Sequence, residues 1–256
     1  MNDDLLRAAT NTAAERITLA RAGDLWKDAT RRDFLRVAAA GGVAVFLPAM
    51  FAACGSNDTL VGPEVPVTTE LAINIGTDTG VLNYAYALEQ LEAAFYSTVV
   101  QGFANSGLSS AEQAILTDIR NHEVIHRDFL AQVLGTAKIP NLTPDFSTVN
   151  FRDRVSILRT AKTFEDIGVG AYNGSGKLLK DLNNLGVAGK IVSVEARHAA
   201  AIRDLLNPGS RDFAGDDVVD RTSGLDQAME PGQALGSGQE LGGAGLFIKE
   251  SIRFIS

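Results

Sequence analysis

Two copies of one short pattern, Glu123-x-x-His126 and Glu195-x-x-His198, constrain this 256-residue chain more than any other feature. Each copy interrupts an apolar helical stripe instead of lying on a polar face. Ile115, Ile119, Leu130 and Val133 recur at helical spacing, and the same stripe passes through Glu123 and His126. Ile191, Ile202 and Leu205 frame Glu195 and His198 in the same way. Two further stripes carry one carboxylate each: Leu82, Tyr86, Glu89, Tyr96, Val99, and then Leu158, Ala161, Glu165, Gly168, Tyr172. A carboxylate buried without compensation costs on the order of several kcal/mol, and converging carboxylates repel one another as well. Metal cations remove both problems, and carboxylate oxygens combined with imidazoles suit Fe or Mn. A surface i,i+3 pair is the plain alternative for each Glu-x-x-His, but the flanking apolar residues argue against it. The chain has three histidines, and only His122 falls outside the repeat.

The intervals repeat too. Glu89 precedes Tyr96 by seven residues, and Glu165 precedes Tyr172 by seven. Glu89 and Glu123 are centred on residue 106, and Glu165 and Glu195 on residue 180. Both centres fall in short, polar, Gly- or Asn-containing connections. Residues equidistant from the turn of an antiparallel hairpin are level, so each hairpin brings a Glu and a Glu-x-x-His to one height. A Glu from each of two helices and a Glu-x-x-His from each of the other two is the ligand set of di-iron and di-manganese bundles. Glu92, one turn after Glu89, is the alternative ligand on its helix; the interval to Tyr96 favours Glu89. Gly168 and Gly170, inside a helix, serve either close packing or room beside Glu165.

Helices are expected at about Gly80 to Phe103, Ser110 to Gly135, Arg152 to Asn173 and Val187 to Leu206. Ser109-Ser110-Ala111-Glu112 supplies a cap with an acidic first turn, and Asn207-Pro208-Gly209 a stop. The first pair and the last pair have short links. About fifteen residues from Thr136 to Phe151 join the pairs, enough at roughly 3.3 Å each to run the length of a helix. Two hairpins joined by one long crossover is therefore the expected topology.

The N-terminal third follows other rules. Thr30-Arg31-Arg32-Asp33-Phe34-Leu35-Arg36 resembles a twin-arginine export signal, and the apolar stretch Val37 to Ala53 follows it. That stretch has 17 residues, short of the roughly 20 that a membrane-spanning helix needs. It ends in Phe51-Ala52-Ala53-Cys54, which resembles a lipobox with Cys54 as the lipidated residue, although Phe51 stands where an aliphatic residue is usual. Cys54 is the only cysteine, so no intrachain disulfide can form. Gly, Pro, Ser and Thr dominate Gly55 to Thr69, as in a flexible tether. The expected layout is thus a signal over 1–54, a tether over 55–76, a bundle over 77–207 and a C-terminal extension over 208–256. The apolar end of that extension, Leu246 to Ile255, is expected to pack on the bundle as an extra helix. A net charge of −8 leaves no basic patch to displace phosphate counterions, which argues against nucleic acid as a partner.

The segments Leu82-Asn83-Tyr84-Ala85, Ala87-Leu88-Glu89-Gln90-Leu91-Glu92-Ala93-Ala94-Phe95-Tyr96, His122-Glu123-x-x-His126-Arg127-Asp128-Phe129-Leu130, Phe164-Glu165-Asp166-x-Gly168-Val169-Gly170-Ala171-Tyr172 and Val194-Glu195-Ala196-Arg197-His198-Ala199-Ala200 resemble the ferritin-like superfamily. They are most similar to its exported branch, which includes plant desiccation-related proteins and many bacterial twin-arginine proteins. The resemblance implies an all-α, ferritin-like four-helix bundle holding two Fe or Mn ions. It further implies that Glu123 and Glu195 bridge the ions, that Glu89 and Glu165 are terminal ligands, and that His126 and His198 each complete one metal. By the same pseudo-two-fold symmetry Tyr96 should reach Glu165 and Tyr172 should reach Glu89. Many di-iron relatives carry an acidic residue just before the Glu of Glu-x-x-His, bonded to the other histidine. Here His122 and Val194 occupy those places, and His122 is expected as a helix-flank residue. The implied activity is a di-metal oxidoreductase that oxidises Fe(II) or reduces O2 or peroxide; the alternative is a non-enzymatic, metal-stabilised envelope protein with a desiccation-protective role. Expected partners are a small oxidant, the membrane through a lipid anchor, and a second copy of the chain in a homo-oligomer, in a periplasmic or membrane-anchored setting.

Overall fold

Each of four long helices begins where a side chain can take up the free N–H groups of its first turn. Thr77 caps α1 (Asp78–Gln101) by accepting from the Gly80 N–H. Ser109 and Glu112 form a reciprocal capping box on α2 (Ser110–Leu134), as that stretch of sequence predicts. Asp153 accepts from the Val155 and Ser156 N–H groups to start α3 (Arg154–Gly176). Asp181 accepts from Asn183 to start α4 (Leu182–Leu206). A computed structural model describes residues 70–235 and 244–256 of the chain. The twin-arginine segment, Cys54 and the first part of the tether lie outside the described residues.

The helices pack chiefly as two pairs, α1 with α2 and α3 with α4, which are the two expected hairpins. Between them residues 135–153 make the long crossover. Two buried amides on α1, seven residues apart, clip its backbone in place. The Asn83 side chain donates to the Ala137 carbonyl (2.9 Å) and accepts from the Ile139 N–H (2.7 Å). Gln90 accepts from the Leu142 N–H (2.9 Å). Arg154 ties the hairpins together at one end by donating to Glu112 (2.6 Å) and to the Leu205 carbonyl (2.7 Å). At the other end the Asp78 carboxylate accepts from the Lys180 and Asp181 N–H groups (both 2.9 Å), pinning the α3–α4 link to the first turn of α1. The core of Tyr84, Leu88, Leu91, Phe95, Leu116, Leu130, Leu158 and Phe164 fills the space among the helices. Phe146 and Phe151 of the crossover pack on Phe95.

The structure departs from an all-α expectation at both ends of the described region. Glu70–Asn74, inside the expected tether, forms strand β1. Among the described residues of the C-terminal extension there is no long helix: a five-residue helix, α5 (Pro231–Leu235), precedes strand β2 (Ser251–Ile255). The two strands pair in parallel from Glu70 opposite Ser251 to Asn74 opposite Ile255. The physical reason is period. Ile252 is buried, Arg253 exposed and Phe254 half-buried, an alternation that suits a strand lying on a core and not a helix. Ile73 and Ile252 are buried, and Phe254 meets Tyr84 edge-on at 5.6 Å, so the ribbon closes the α1 side of the bundle.

Just before α5 the chain lies on α3. The Met229 N–H donates to the Gly170 carbonyl (2.8 Å), and a Cβ at Gly174 would stand 1.9 Å from the Met229 carbonyl oxygen. Gly170 and Gly174 therefore serve close approach of the C-terminal segment. Arg203, buried on α4, donates to both oxygens of Asp166 (2.8 and 2.7 Å) and of Asp217 (3.0 and 2.9 Å), fastening the following loop to the second hairpin.

Candidate metal centre

The four stripes that carry carboxylates meet at one height inside the bundle. Glu89 of α1, Glu123 of α2, Glu165 of α3 and Glu195 of α4 are each 0% exposed. His198 is buried at 5%, and the His126 side chain is 12% exposed. Two quartets form, one of Glu89, Glu123, His126 and Glu195, the other of Glu123, Glu165, Glu195 and His198. Within each quartet one ligand-type atom per residue lies within 4.8 Å of all the others. The quartets share Glu123 and Glu195. Each could hold a metal ion.

The imidazoles aim the same atom at the centre of each quartet. His126 Nδ1 is 2.9 Å from Glu195 Oε1 and 3.5 Å from both Glu89 Oε2 and Glu123 Oε2. His198 Nδ1 is 2.8 Å from Glu123 Oε1, 3.4 Å from Glu165 Oε2 and 3.5 Å from Glu195 Oε2. The match between the two halves follows from the sequence intervals, because both hairpins are built to one plan.

The two tyrosines hold the outer glutamates across the hairpins. Tyr96 donates to Glu165 Oε1 at 2.5 Å, and Tyr172 donates to Glu89 Oε1 at 2.6 Å. These reciprocal bonds set α1 and α3 antiparallel and fix the rotamers of both carboxylates, leaving the other oxygen of each aimed inward. That remaining oxygen, both oxygens of Glu123 and of Glu195, and Nδ1 of each histidine are buried with no well-formed hydrogen bond. Native interiors seldom leave so many polar atoms unsatisfied. Orphaned atoms that converge, and are hard oxygens and imidazole nitrogens, fit a metal's first coordination sphere.

Electrostatics gives the same account. Burial pushes Glu123 well above the ordinary carboxyl range, and Glu195 beside it adds to the shift. Burial likewise raises Glu165 to about 7. The imidazoles answer as counter-charges: burial alone would hold His198 down, but Glu165, Glu123 and Glu195 push it up to about 12. His126 is raised in the same way, against burial, by Glu89 and its neighbours. Two divalent ions would balance four ionised glutamates and leave both imidazoles neutral, the form in which they bind metal.

Two places break the symmetry of the halves. Glu92 on α1 and Gly168 on α3 occupy equivalent positions, three residues after Glu89 and Glu165. Glu92 is buried at 3% and its Oε1 would be 3.0 Å from a Cβ at Gly168. Of the two roles open to Gly168, room beside the site is therefore the one it serves, and Glu92 takes that room. Glu92 belongs to neither quartet, and Glu89 is the α1 residue that joins the other ligand atoms. Burial, followed by repulsion from Glu123, Glu195 and Glu89, raises Glu92 well above its ordinary value.

The second break is His122 against Val194. His122 is exposed on the flank of α2, as expected, yet it is not an idle surface residue. Its Nδ1 lies 2.9 Å from Nε2 of His198, and the two rings are nearly coplanar, with centroids 5.2 Å apart and an interplanar angle of 7°. Burial, and after it His198 and His126, lowers its pKa below the usual imidazole value. A signal for this contact was present: His122 immediately precedes Glu123, which puts it on the edge of α2 that faces α4.

The family model for the ferritin-like domain matches residues 77–208, which run from the cap of α1 to just beyond α4. No match is found among curated proteins.

Proposed function

This chain belongs to the ferritin-like domain family, and we propose that its buried cluster is a two-metal centre, of iron or manganese, that reduces O2 or peroxide and can take electrons from Fe(II). The observation that carries the proposal is the pair of quartets sharing Glu123 and Glu195. Glu89 and His126 would complete one ion and Glu165 and His198 the other, with the two shared glutamates between them. Carboxylates with one imidazole per ion suit Fe or Mn better than softer metals. When bound, such ions each supply one electron, and two together match the two-electron, two-proton reduction of peroxide to water.

The chain's own residues set the conditions. Tyr96 and Tyr172 hold Glu165 and Glu89 so that few ligand motions are available, as outer-sphere partners do. Complete burial of the four glutamates keeps bulk water away and strengthens every charge interaction inside. Glu92, its carboxyl pushed well above the ordinary range by burial, lies within the same pocket, beside Gly168. The address extends the reading: export by the twin-arginine route and lipidation at Cys54 would place the centre in the periplasm, facing oxidants from outside the cell, as in the exported branch of the superfamily.

The test is elemental analysis of protein recovered from its native export route, followed by O2- and peroxide-consumption assays. Two Fe or Mn per chain with turnover is the expected result, and Glu123→Gln should lose both. Absence of stoichiometric metal sinks the proposal. Stoichiometric metal without turnover would instead support the desiccation-protective reading, in which the ions act only by linkage to folding. Mass spectrometry of the mature N-terminus tests the address: a lipid on Cys54 is expected, and Cys54→Ala should release the protein from membranes.

A further inference from the structure

We infer that His122 is a positioning residue for His198, and that it makes the two metal positions unequal, with the ion on Glu165 and His198 bound more tightly than the ion on Glu89 and His126. The inference rests on the two-metal reading above. His198 has both ring nitrogens engaged: Nδ1 faces Glu123, Glu165 and Glu195, and Nε2 lies 2.9 Å from Nδ1 of His122. With Nδ1 given to a metal, the one remaining ring proton sits on Nε2 and is donated to His122 Nδ1. That bond settles the tautomer of His198, and the rings, nearly coplanar and joined edge to edge, settle its orientation.

His126 has no such support. Its Nδ1 faces Glu195, Glu89 and Glu123, but among the described residues none bonds its Nε2. The equivalent of His122 in that half is Val194, whose side chain has no acceptor. The two halves thus share their ligands and differ in what holds the imidazole. An outer-sphere acceptor on a ligating histidine raises its basicity and cuts the cost of orienting it, and losing one typically weakens metal binding about 10–100-fold.

The experiment is Mn(II) titration of the full chain after chelation, with free Mn(II) followed by its electron paramagnetic resonance signal. The wild type should show two classes of one ion each. His122→Phe keeps a flat ring at the position but has no acceptor; it should weaken the tighter class about 10–100-fold and leave the weaker class in place. His122→Asn sets an amide oxygen two bonds from Cβ, where Nδ1 stands, and should restore the tighter class. That rescue separates the hydrogen bond from general packing, and the exposed position of His122 lets both variants fold. Equal classes in the wild type, equal weakening of both ions in His122→Phe, or failure of Asn to rescue would each overturn the inference while leaving the two-metal centre standing. A wild type that binds neither Mn(II) nor, in the same titration under anaerobic conditions, Fe(II) would overturn both.

Discussion

Strip the metal and raise the pH from about 5 to about 7.5, and the melting temperature of this protein should fall, whereas the metal-loaded form should hold or gain. The sign follows from the buried groups. Glu165 keeps its proton to about 7 in the folded chain because of its burial, while an unfolded glutamate releases it near 4.5. Between those values the native state binds more protons than the unfolded one, so stability drops as pH rises. Deferring one ionisation over that range costs the fold about 3 kcal/mol once the group is ionised. About 2.4 kcal/mol of that falls between pH 5 and 7.5, and with each kcal/mol moving the melting temperature of a domain of this size by about 2–4 °C, Glu165 alone gives a fall of roughly 5–10 °C. Glu92 and Glu123, also raised, add to it in the same direction. So does His198, raised to about 12: above 6.5 the unfolded imidazole releases its proton while the folded one keeps it, so its stabilising contribution declines as pH rises. Carboxyls held below their ordinary range, such as Asp78, Glu112 and Asp217, lose their contribution only on the acid side of this window. Metal ions displace the same protons, and at about 100 times the dissociation constant add about 2.7 kcal/mol. Circular-dichroism melts with chelator and with Mn(II), at several pH values, test the argument. A chelated protein whose melting temperature is flat or rising over this range, or loaded and chelated curves that run parallel, would refute it.

Three further outcomes follow from single contacts. Tyr96→Phe and Tyr172→Phe each remove the donor to one terminal glutamate, so each should weaken binding of one Mn(II) by about 10–100-fold in the same titration, with similar sizes because the contacts are equivalent. Gly174→Ala places a methyl 1.9 Å from the Met229 carbonyl and should cost about 1–3 kcal/mol in urea unfolding despite the better helix former, whereas Gly189→Ala, with nothing within 4 Å, should gain about 0.5–1 kcal/mol. Arg203→Met leaves Asp166 and Asp217 without their shared guanidinium and should cost about 3 kcal/mol, borne mainly by the less exposed Asp166; a loss under about 0.5 kcal/mol would show that water replaces the arginine.

The bundle was legible because its information is local and periodic. Four apolar stripes, a Ser109–Glu112 box and two short links are enough to predict two hairpins, and the structure has them. Helix limits were less so. Helix α4 starts at Leu182, five residues before the expected Val187, where the link ending at Gly186 is expected to give way to helix; the Asp181 cap and the Asp78 clamp outweigh the weak helix propensity of Gly186. The sheet was not legible at all. Its strands are five residues each and pair across nearly the whole bundle, so neither segment signals the other.

The site divides along the same line. Glu89, Glu123, His126, Glu165, Glu195 and His198 could be named because a hairpin converts distance from its turn into height, and the intervals to Tyr96 and Tyr172 repeat. What the intervals cannot express is a difference between the halves. Glu92 acquires its place only because α3 has a glycine at the equivalent position, and His122 acquires its partner only because α4 brings Nε2 of His198 within 2.9 Å. Both are relations between helices distant in sequence, and both fall where the duplicated pattern fails. In a site made of two matched halves, the repeated residues account for the two quartets that could hold metal. The unmatched ones, Glu92 and His122, are where two ions, if both quartets are filled as proposed, would meet different surroundings, and where a symmetric cluster could acquire an order of filling.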